Sequence, residues 1–125
     1  MKFQVNVPIS TRADIDEYYA DVFLHVEEQK GSHHIIKANK AVLAVHSPYL
    51  DRMFKSTNNN HIFHMSFFGI TYKLVNDAIR LLYGNSVEMN KHVGRFSEFL
   101  KMLEIEFITG GNEDDQGESL AKKLT

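Results

Sequence analysis

Seven histidines are the side chains in this sequence with the widest chemical capacity, because an imidazole can bind a metal ion or transfer a proton. Four of them form close pairs in the sequence, namely His33 with His34 and His61 with His64. In a strand, both spacings place the two rings of a pair on opposite faces. Neither pair therefore converges on one ion, as a pair at i and i+4 of a helix would, and the sequence predicts no metal site. His25 and His46 fit a surface position or a hydrogen-bonded interior position.

Nucleophilic, phosphate-binding and acid–base sites also find no support. The sequence has no cysteine and no serine in a G-x-S-x-G turn. Ser47 precedes Pro48 and is better explained as a helix N-cap followed by a first-turn proline. The only glycine pair, at 110–111, leads into an acidic segment, whose charge opposes phosphate. Adjacent carboxylates, as at Glu27 and Glu28, have polar neighbours typical of a solvated face. We therefore expect no enzyme activity and no cofactor.

Length and charge exclude further classes of function. A chain of 125 residues is long enough for one hydrophobic core and too short for two. It has 14 basic and 16 acidic residues and a net charge of −2, and four of the acids lie in the last sixteen residues. The rest is balanced and has no basic run, so we expect neither nucleic-acid nor membrane binding. The lack of cysteine suits an intracellular setting, cytoplasmic or nuclear.

Four segments have the patterns of strands that could position an interaction surface. Residues 3–7 alternate between apolar and polar, and Pro8 ends that pattern. Residues 21–27 alternate too, and a turn at 30–32 allows residues 33–37 to return as a hairpin. Residues 62–65 form another short strand. The strands lie early in the sequence and the longest helical patterns late, which indicates an α+β fold.

The helical patterns come with recognisable end signals. Residues 12–19 and 40–45 read as short helices, and Ser47 begins a third. Thr71 caps the clearest amphipathic helix, which ends before Gly84 in the left-handed position that glycine favours. Asn90 is expected to cap the last helix. From Gly110 onward the composition predicts a disordered acidic tail or linker, over 110–125.

Five pieces of the sequence, in order and at suitable spacing over residues 21–107, resemble the BTB/POZ domain family. They are Asp-Val-Phe-Leu-His-Val from 21, the run from Ile36 to Leu50, Met53-Phe54, Ile-Arg-Leu-Leu-Tyr-Gly from 79, and Phe-Leu-Lys-Met-Leu-Glu-Ile from 99. The resemblance implies a three-stranded sheet flanked by helical hairpins. The segment Asn-Lys-Ala-Val-Leu, followed by His-Ser, is similar to the corresponding segment of divergent BTB domains abundant in nematodes.

The resemblance implies a charged pocket at a dimer interface. By position, its acidic and basic residues are Asp21 and Lys40. Asn39 stands where most family members have histidine; its amide can donate and accept a hydrogen bond but cannot titrate. The alternative is that Asp21 only caps or pairs locally.

The resemblance also implies a homodimer, built in the family from a long N-terminal helix and an exchanged strand. Here the exchanged strand would be residues 3–7, but the following helix, at 12–19, is short. We therefore divide the chain into an N-terminal dimerisation arm (1–19), the BTB/POZ domain (20–109) and the tail (110–125). The expected dimer contacts are Phe3, Val5, Ile15, Tyr18 and Tyr19.

Many BTB proteins recruit the ubiquitin-ligase scaffold Cullin-3. Their contact surface includes the helix after Ser-Pro and a hydrophobic-x-Glu motif, and residues 55–60 here have neither residue of that motif. A Cullin-3 surface would consist of Tyr49, Met53, Phe54, Asn58 and Asn60. The three apolar residues of this set fit core or helix-packing positions equally well. The sequence thus predicts a non-catalytic protein-interaction module that binds itself or another protein. The alternative is a Cullin-3 substrate adaptor.

Overall fold

A computed structural model describes residues 1–6, 19–56 and 62–110. The strands are β1 (Lys2–Gln4), β2 (Val22–Glu27), β3 (His33–Ala38), β4 (Phe63–Phe68), β5 (Val87–Glu88) and β6 (Ile108–Gly110). The helices are α1 (Lys40–His46), α2 (Pro48–Lys55), α3 (Tyr72–Leu82) and α4 (Val93–Met102). This mixture confirms the α+β prediction.

The large sheet has the strand order β3-β2-β4. β2 and β3 form the predicted antiparallel hairpin, and its turn contains Gly31 with φ +87°. β4 lies parallel to β2 on the other side, so that Phe23 is opposite His64. Val22, Leu24 and Val26 of β2 are buried, as their alternation predicted. The large sheet therefore has one core-facing side and one side facing away from the core.

The small sheet has the strand order β5-β1-β6, with β1 antiparallel to both neighbours. β5 has two residues and the other strands have three each. Phe3 on β1 is fully buried, and its ring lies 4.8 Å from that of Phe96, edge to face. Sequence patterns indicated β1 but neither partner, and Gly110, expected to begin the tail, is the last residue of β6.

Most helix ends follow from the signals in the sequence. Asn39, Ser47 and Thr71 each accept a hydrogen bond from a first-turn backbone N–H of the helix that follows. Gly84, with φ +93°, follows α3 as predicted. The expected Asn90 cap is wrong, because α4 begins at Val93.

His92 stands in the N-cap position of α4 with left-handed φ of 61° and makes no side-chain cap bond. α3 contacts β2, β3 and β5, and it also contacts α1 and α4, so it joins the two sheets into one core. No helix in the described ranges is long and apolar enough to span a membrane.

Candidate interaction surfaces

Asp21, Asn39 and Lys40, the residues expected to line an interface pocket, lie together where α1 begins. The carboxylate Oδ1 of Asp21 accepts a 2.7 Å hydrogen bond from the backbone N–H of Lys40. Asn39 Oδ1 accepts from the N–H of Ala41 at 3.2 Å. Two of the first N–H groups of α1 are therefore satisfied by side chains, and the Asp21 charge lies at the positive end of the helix. This geometry is that of local capping by Asp21.

Asn39 also fixes the surroundings of this cluster. Its backbone N–H donates to Tyr83 Oη at 2.9 Å, and its Nδ2 donates to the carbonyl of Tyr19 at 3.2 Å. Asn39, Asp21 and Lys40 are each half-buried. An imidazole at position 39 would supply neither the same cap nor the same amide donor, so the asparagine is built into the start of α1.

The expected dimer residues fall into different environments. Phe3 is buried against Phe96 and also lies 5.5 Å from the ring of Phe107, while Val5 is half-buried against the core. Tyr19 is 70% exposed. The two remaining expected contacts, Ile15 and Tyr18, lie outside the described residues. Phe3 thus contacts its own chain here and would become an intermolecular contact only through exchange of β1.

The residues expected to face Cullin-3 lie mainly on α2. Tyr49 and Met53 are half-buried. Phe54 is buried instead of facing outward, and its ring packs edge to face on Phe63, with 5.1 Å between centroids. The other two expected residues, Asn58 and Asn60, lie outside the described residues. α2 therefore offers two partly exposed side chains, and Phe54 belongs to the core.

The side of the large sheet that faces away from the core is here called the outer face. By strand register it consists of Phe23, His25 and Glu27 from β2, His33, Ile35 and Lys37 from β3, and His64, Ser66 and Phe68 from β4. Phe68 is 72% exposed and Ile35 is 50% exposed. This face combines exposed apolar side chains with three histidines.

His25, His33 and His64 form a cluster that we call the imidazole triad. Nδ1 of His25 lies 3.0 Å from Nε2 of His33, and Nε2 of His25 lies 2.9 Å from Nδ1 of His64. Both distances are those of hydrogen bonds. Burial, together with the charges of His33 and His64, lowers the pKa of His25. The central ring of the triad thus resists protonation.

Sequence reasoning missed this cluster, because it compared histidines that are close in sequence. His33 and His25 are brought together by the β2–β3 hairpin, whose register a turn-based prediction could have supplied. His64 joins them only because β4 is parallel to β2, and no local pattern specifies that pairing. The signal available from the sequence was that alternation along the two strands places positions 25 and 33 on the side facing away from the core.

Four features bear on catalysis and metal binding. Two surface depressions in the described part of the chain hold about 450 and 380 Å³ and meet at Thr71 and Leu74, where α3 begins. In the described part of the chain, no group of three or more histidine or carboxylate side chains could hold a metal ion. The imidazole triad does not converge, because His25 meets its neighbours with opposite ring nitrogens. Asp77, the buried carboxylate of α3, is paired with Lys73 at 2.6 Å.

Comparison with known proteins identifies the fold and the family. A family model for the BTB/POZ domain matches residues 14–116. The BTB domain of zebrafish PATZ1 is similar in structure, with a TM-score of 0.56 and 19% identity, covering 85% of this chain and 75% of that one. The BTB domain of human gigaxonin has a TM-score of 0.58 and 12% identity, covering 96% and 98% respectively.

At these identities the two structures show a shared fold alone, and curated protein sequences gave no match. The family model spans most of the chain, including the start of α1 and both sheets except β1. The five sequence pieces, the arrangement of strands and helices and the family match agree, and the chain belongs to the BTB/POZ family.

Proposed function

We propose that this chain is a non-catalytic interaction module that forms a twofold homodimer by exchanging β1 between two copies. BTB domains are generally protein–protein interaction modules. The observation that carries the proposal is the position of β1. A three-residue strand at the start of the chain lies between β5 and β6, with one fully buried phenylalanine.

Exchange of such an element requires no new contact. A second copy offers the same slot between β5 and β6 and the same Phe96 and Phe107 rings, so the exchanged strand regains its hydrogen bonds and its burial. The 70%-exposed ring of Tyr19 would add aromatic contact area, which interfaces favour. Val5, Ile15 and Tyr18 stay part of the proposed interface.

The mass in solution tests the dimer. Light scattering over a concentration series should give about twice the 14.4 kDa of one chain at high micromolar concentration. A mass of one chain throughout that range would contradict self-association. The chain would then work by docking to a different protein.

An engineered disulfide separates strand exchange from other dimers. Lys2 and Glu88 are antiparallel partners, and such pairs have Cα atoms about 4.5–5.5 Å apart, within disulfide range. The chain has no cysteine, so the double variant Lys2→Cys/Glu88→Cys carries a single cysteine pair. Oxidation should link two chains covalently on a non-reducing gel if β1 is exchanged.

The matched control is Phe23→Cys/Lys37→Cys, a pair across the β2–β3 hairpin that should close only within one chain. If the Lys2→Cys/Glu88→Cys variant also closes only within one chain while the mass is that of a dimer, the exchange is refuted and another surface holds the dimer. Lack of oxidation in the control would show that the conditions are too mild.

The alternative is a Cullin-3 substrate adaptor, for which the partly exposed Tyr49 and Met53 on α2 are the available support. Isothermal titration with the N-terminal domain of Cullin-3 tests it, and a Kd of about 1 µM or tighter would favour it. The double variant Asn58→Met/Asn60→Glu should tighten that binding. Unchanged affinity would rule out this surface. For either function, we propose an intracellular location, which the lack of cysteine suggests.

A further inference from the structure

The imidazole triad joins the central strand of the large sheet to both edge strands. His25 on β2 reaches His33 on β3 through Nδ1 and His64 on β4 through Nε2. The rings of His25 and His33 are nearly parallel, with an angle of 18° between their planes. His64 in turn stacks on Phe23 at 5.4 Å. The three rings are therefore held in one row across the sheet.

The number of protons in this row is fixed by elementary chemistry. Each N···N hydrogen bond needs one proton between the two facing nitrogens. Three neutral imidazoles carry three protons, so two lie in the hydrogen bonds and one lies on an outer nitrogen, either Nδ1 of His33 or Nε2 of His64. Both arrangements keep both hydrogen bonds, and they differ only in the tautomers of the three rings.

A fourth proton fits on the vacant outer nitrogen, and both hydrogen bonds survive. A fifth proton has to enter a position between two rings, where two N–H groups then face each other. That step breaks a hydrogen bond and leaves two of the three rings positively charged. We propose that the imidazole triad is a single proton-binding unit, which takes one proton with its contacts intact and opens on the second.

The charged side chains around the triad favour one positive charge, at the His33 end of the row. On β2, Glu27 lies opposite His33, so its carboxylate complements a cation at that end of the row. On β3, Lys37 lies opposite Phe23, whose partner on the other side is His64, so the Lys37 charge is two strands from His64 and opposes a cation there. The described part of β4 adds no charged side chain other than His64 itself. A first proton is thus accommodated on the side of Glu27.

Acidification would therefore act in two stages on the outer face. The first proton makes this face more positive around the exposed Phe68 and Ile35. The second weakens the link between β2 and an edge strand. Because the pKa of His25 is lowered on folding, the unfolded chain binds more protons, and the free energy of unfolding should fall as the pH drops below the ordinary histidine value of 6.5.

Couplings between nitrogens across hydrogen bonds test the unit directly. In a ¹⁵N-labelled full chain, NMR should show couplings from His25 Nδ1 to His33 Nε2 and from His25 Nε2 to His64 Nδ1. We expect both to persist through the first protonation step and one to vanish in the second. The two apparent midpoints should be separated by roughly one pH unit or more. Couplings absent at every pH, or lost with the first proton, would overturn the proposal.

The variant His25→Gln removes the central ring and should change the midpoints of His33 and His64. The matched control is His34→Gln on β3, next to His33 in the sequence, whose ring turns away from the triad and packs on Tyr72. If His25→Gln fails to fold, the edge variants His33→Gln and His64→Gln should each remove one coupling and leave the other. Three rings that titrate independently, with midpoints unaffected by these variants, would also overturn the proposal.

Discussion

The two sheets of this domain are built in different ways. The large sheet joins three strands of six residues each, and two of them form a hairpin with a short turn. The small sheet joins strands of two or three residues from positions 2–4, 87–88 and 108–110. The large sheet thus contains a unit that is local in sequence, whereas the small sheet closes only when distant parts of the chain have met.

This difference bears on the proposed exchange of β1 between two copies. In the large sheet, each strand adds several ladder bonds and alternating core residues. In the small sheet, β1 adds few ladder bonds, and its contribution to stability comes mainly from the burial of Phe3. An element whose stability rests on one side chain in a preformed slot can use the same slot in another copy.

The largest expected effect concerns that slot. Replacing Phe3 with alanine removes a fully buried ring and should lower the free energy of unfolding by about 3–5 kcal/mol. Phe23→Ala, on the outer face of the large sheet, is the control and should cost less, because Phe23 is only half-buried. Urea denaturation at fixed protein concentration measures both. Equal losses would show that the small sheet does not depend on Phe3.

Ser47 connects the start of α2 to the residue that follows α4. Its Oγ is buried, donates to the carbonyl of Leu103 at 2.7 Å beyond the end of α4, and accepts from the N–H of Leu50 at 3.2 Å in α2. Ser47→Ala should cost about 1–3 kcal/mol, because it leaves the buried carbonyl unpaired. Ser56→Ala, at the exposed end of α2, should change little. A Ser47→Ala variant as stable as Ser56→Ala would refute this role.

Replacing each of two glycines with alanine should change the free energy of unfolding in opposite directions. Gly31 in the β2–β3 turn has φ +87°, where an alanine costs about 1–2 kcal/mol. Gly94 lies inside α4, between β5 and β6 in the chain, and an added Cβ there meets nothing within 4 Å. Gly94→Ala should therefore stabilise by about 0.5–1 kcal/mol. Thermal unfolding of the two variants measures the difference, and shifts of the same sign would contradict the backbone argument.

The smallest expected effect concerns a surface ion pair between α2 and the segment after α4. The two terminal nitrogens of Arg52 on α2, Nη1 and Nη2, donate to Glu104 after α4 at 2.8 and 2.5 Å, and this pairing lowers the pKa of Glu104 below its usual 4.5. The pair should stabilise the fold above that pH and lose its effect as the pH falls further. The loss should be small, because both side chains are exposed.

Glu104→Gln is the variant that isolates this pair. Its stability should vary less with pH below 4.5 than that of the parent chain, and added salt should narrow the gap between them. Acid titrations followed by circular dichroism at low and high salt provide the measurement. Identical acid profiles for the two proteins would show that the pair does not stabilise the fold.

Local sequence patterns were sufficient to predict several strands and helix ends. The alternation at positions 22–27 predicted which side of β2 is buried, and Ser47, Thr71 and Gly84 marked helix ends, because these effects act within a few residues. The five family pieces, added to these patterns, indicated the fold. Among the expected interaction residues, Asp21, Asn39 and Lys40 lie together, and Phe54 takes the core position that was one of its two expected places.

Contacts between distant segments became visible only in the folded chain. β5 and β6 are too short for any periodic pattern, so the place of Phe3 between them could not be derived locally. Likewise, His64 meets His25 because β4 is parallel to β2, with a register set by packing of the whole sheet. Periodicity determines which face of an element is buried, whereas partners distant in sequence depend on how all the elements pack together.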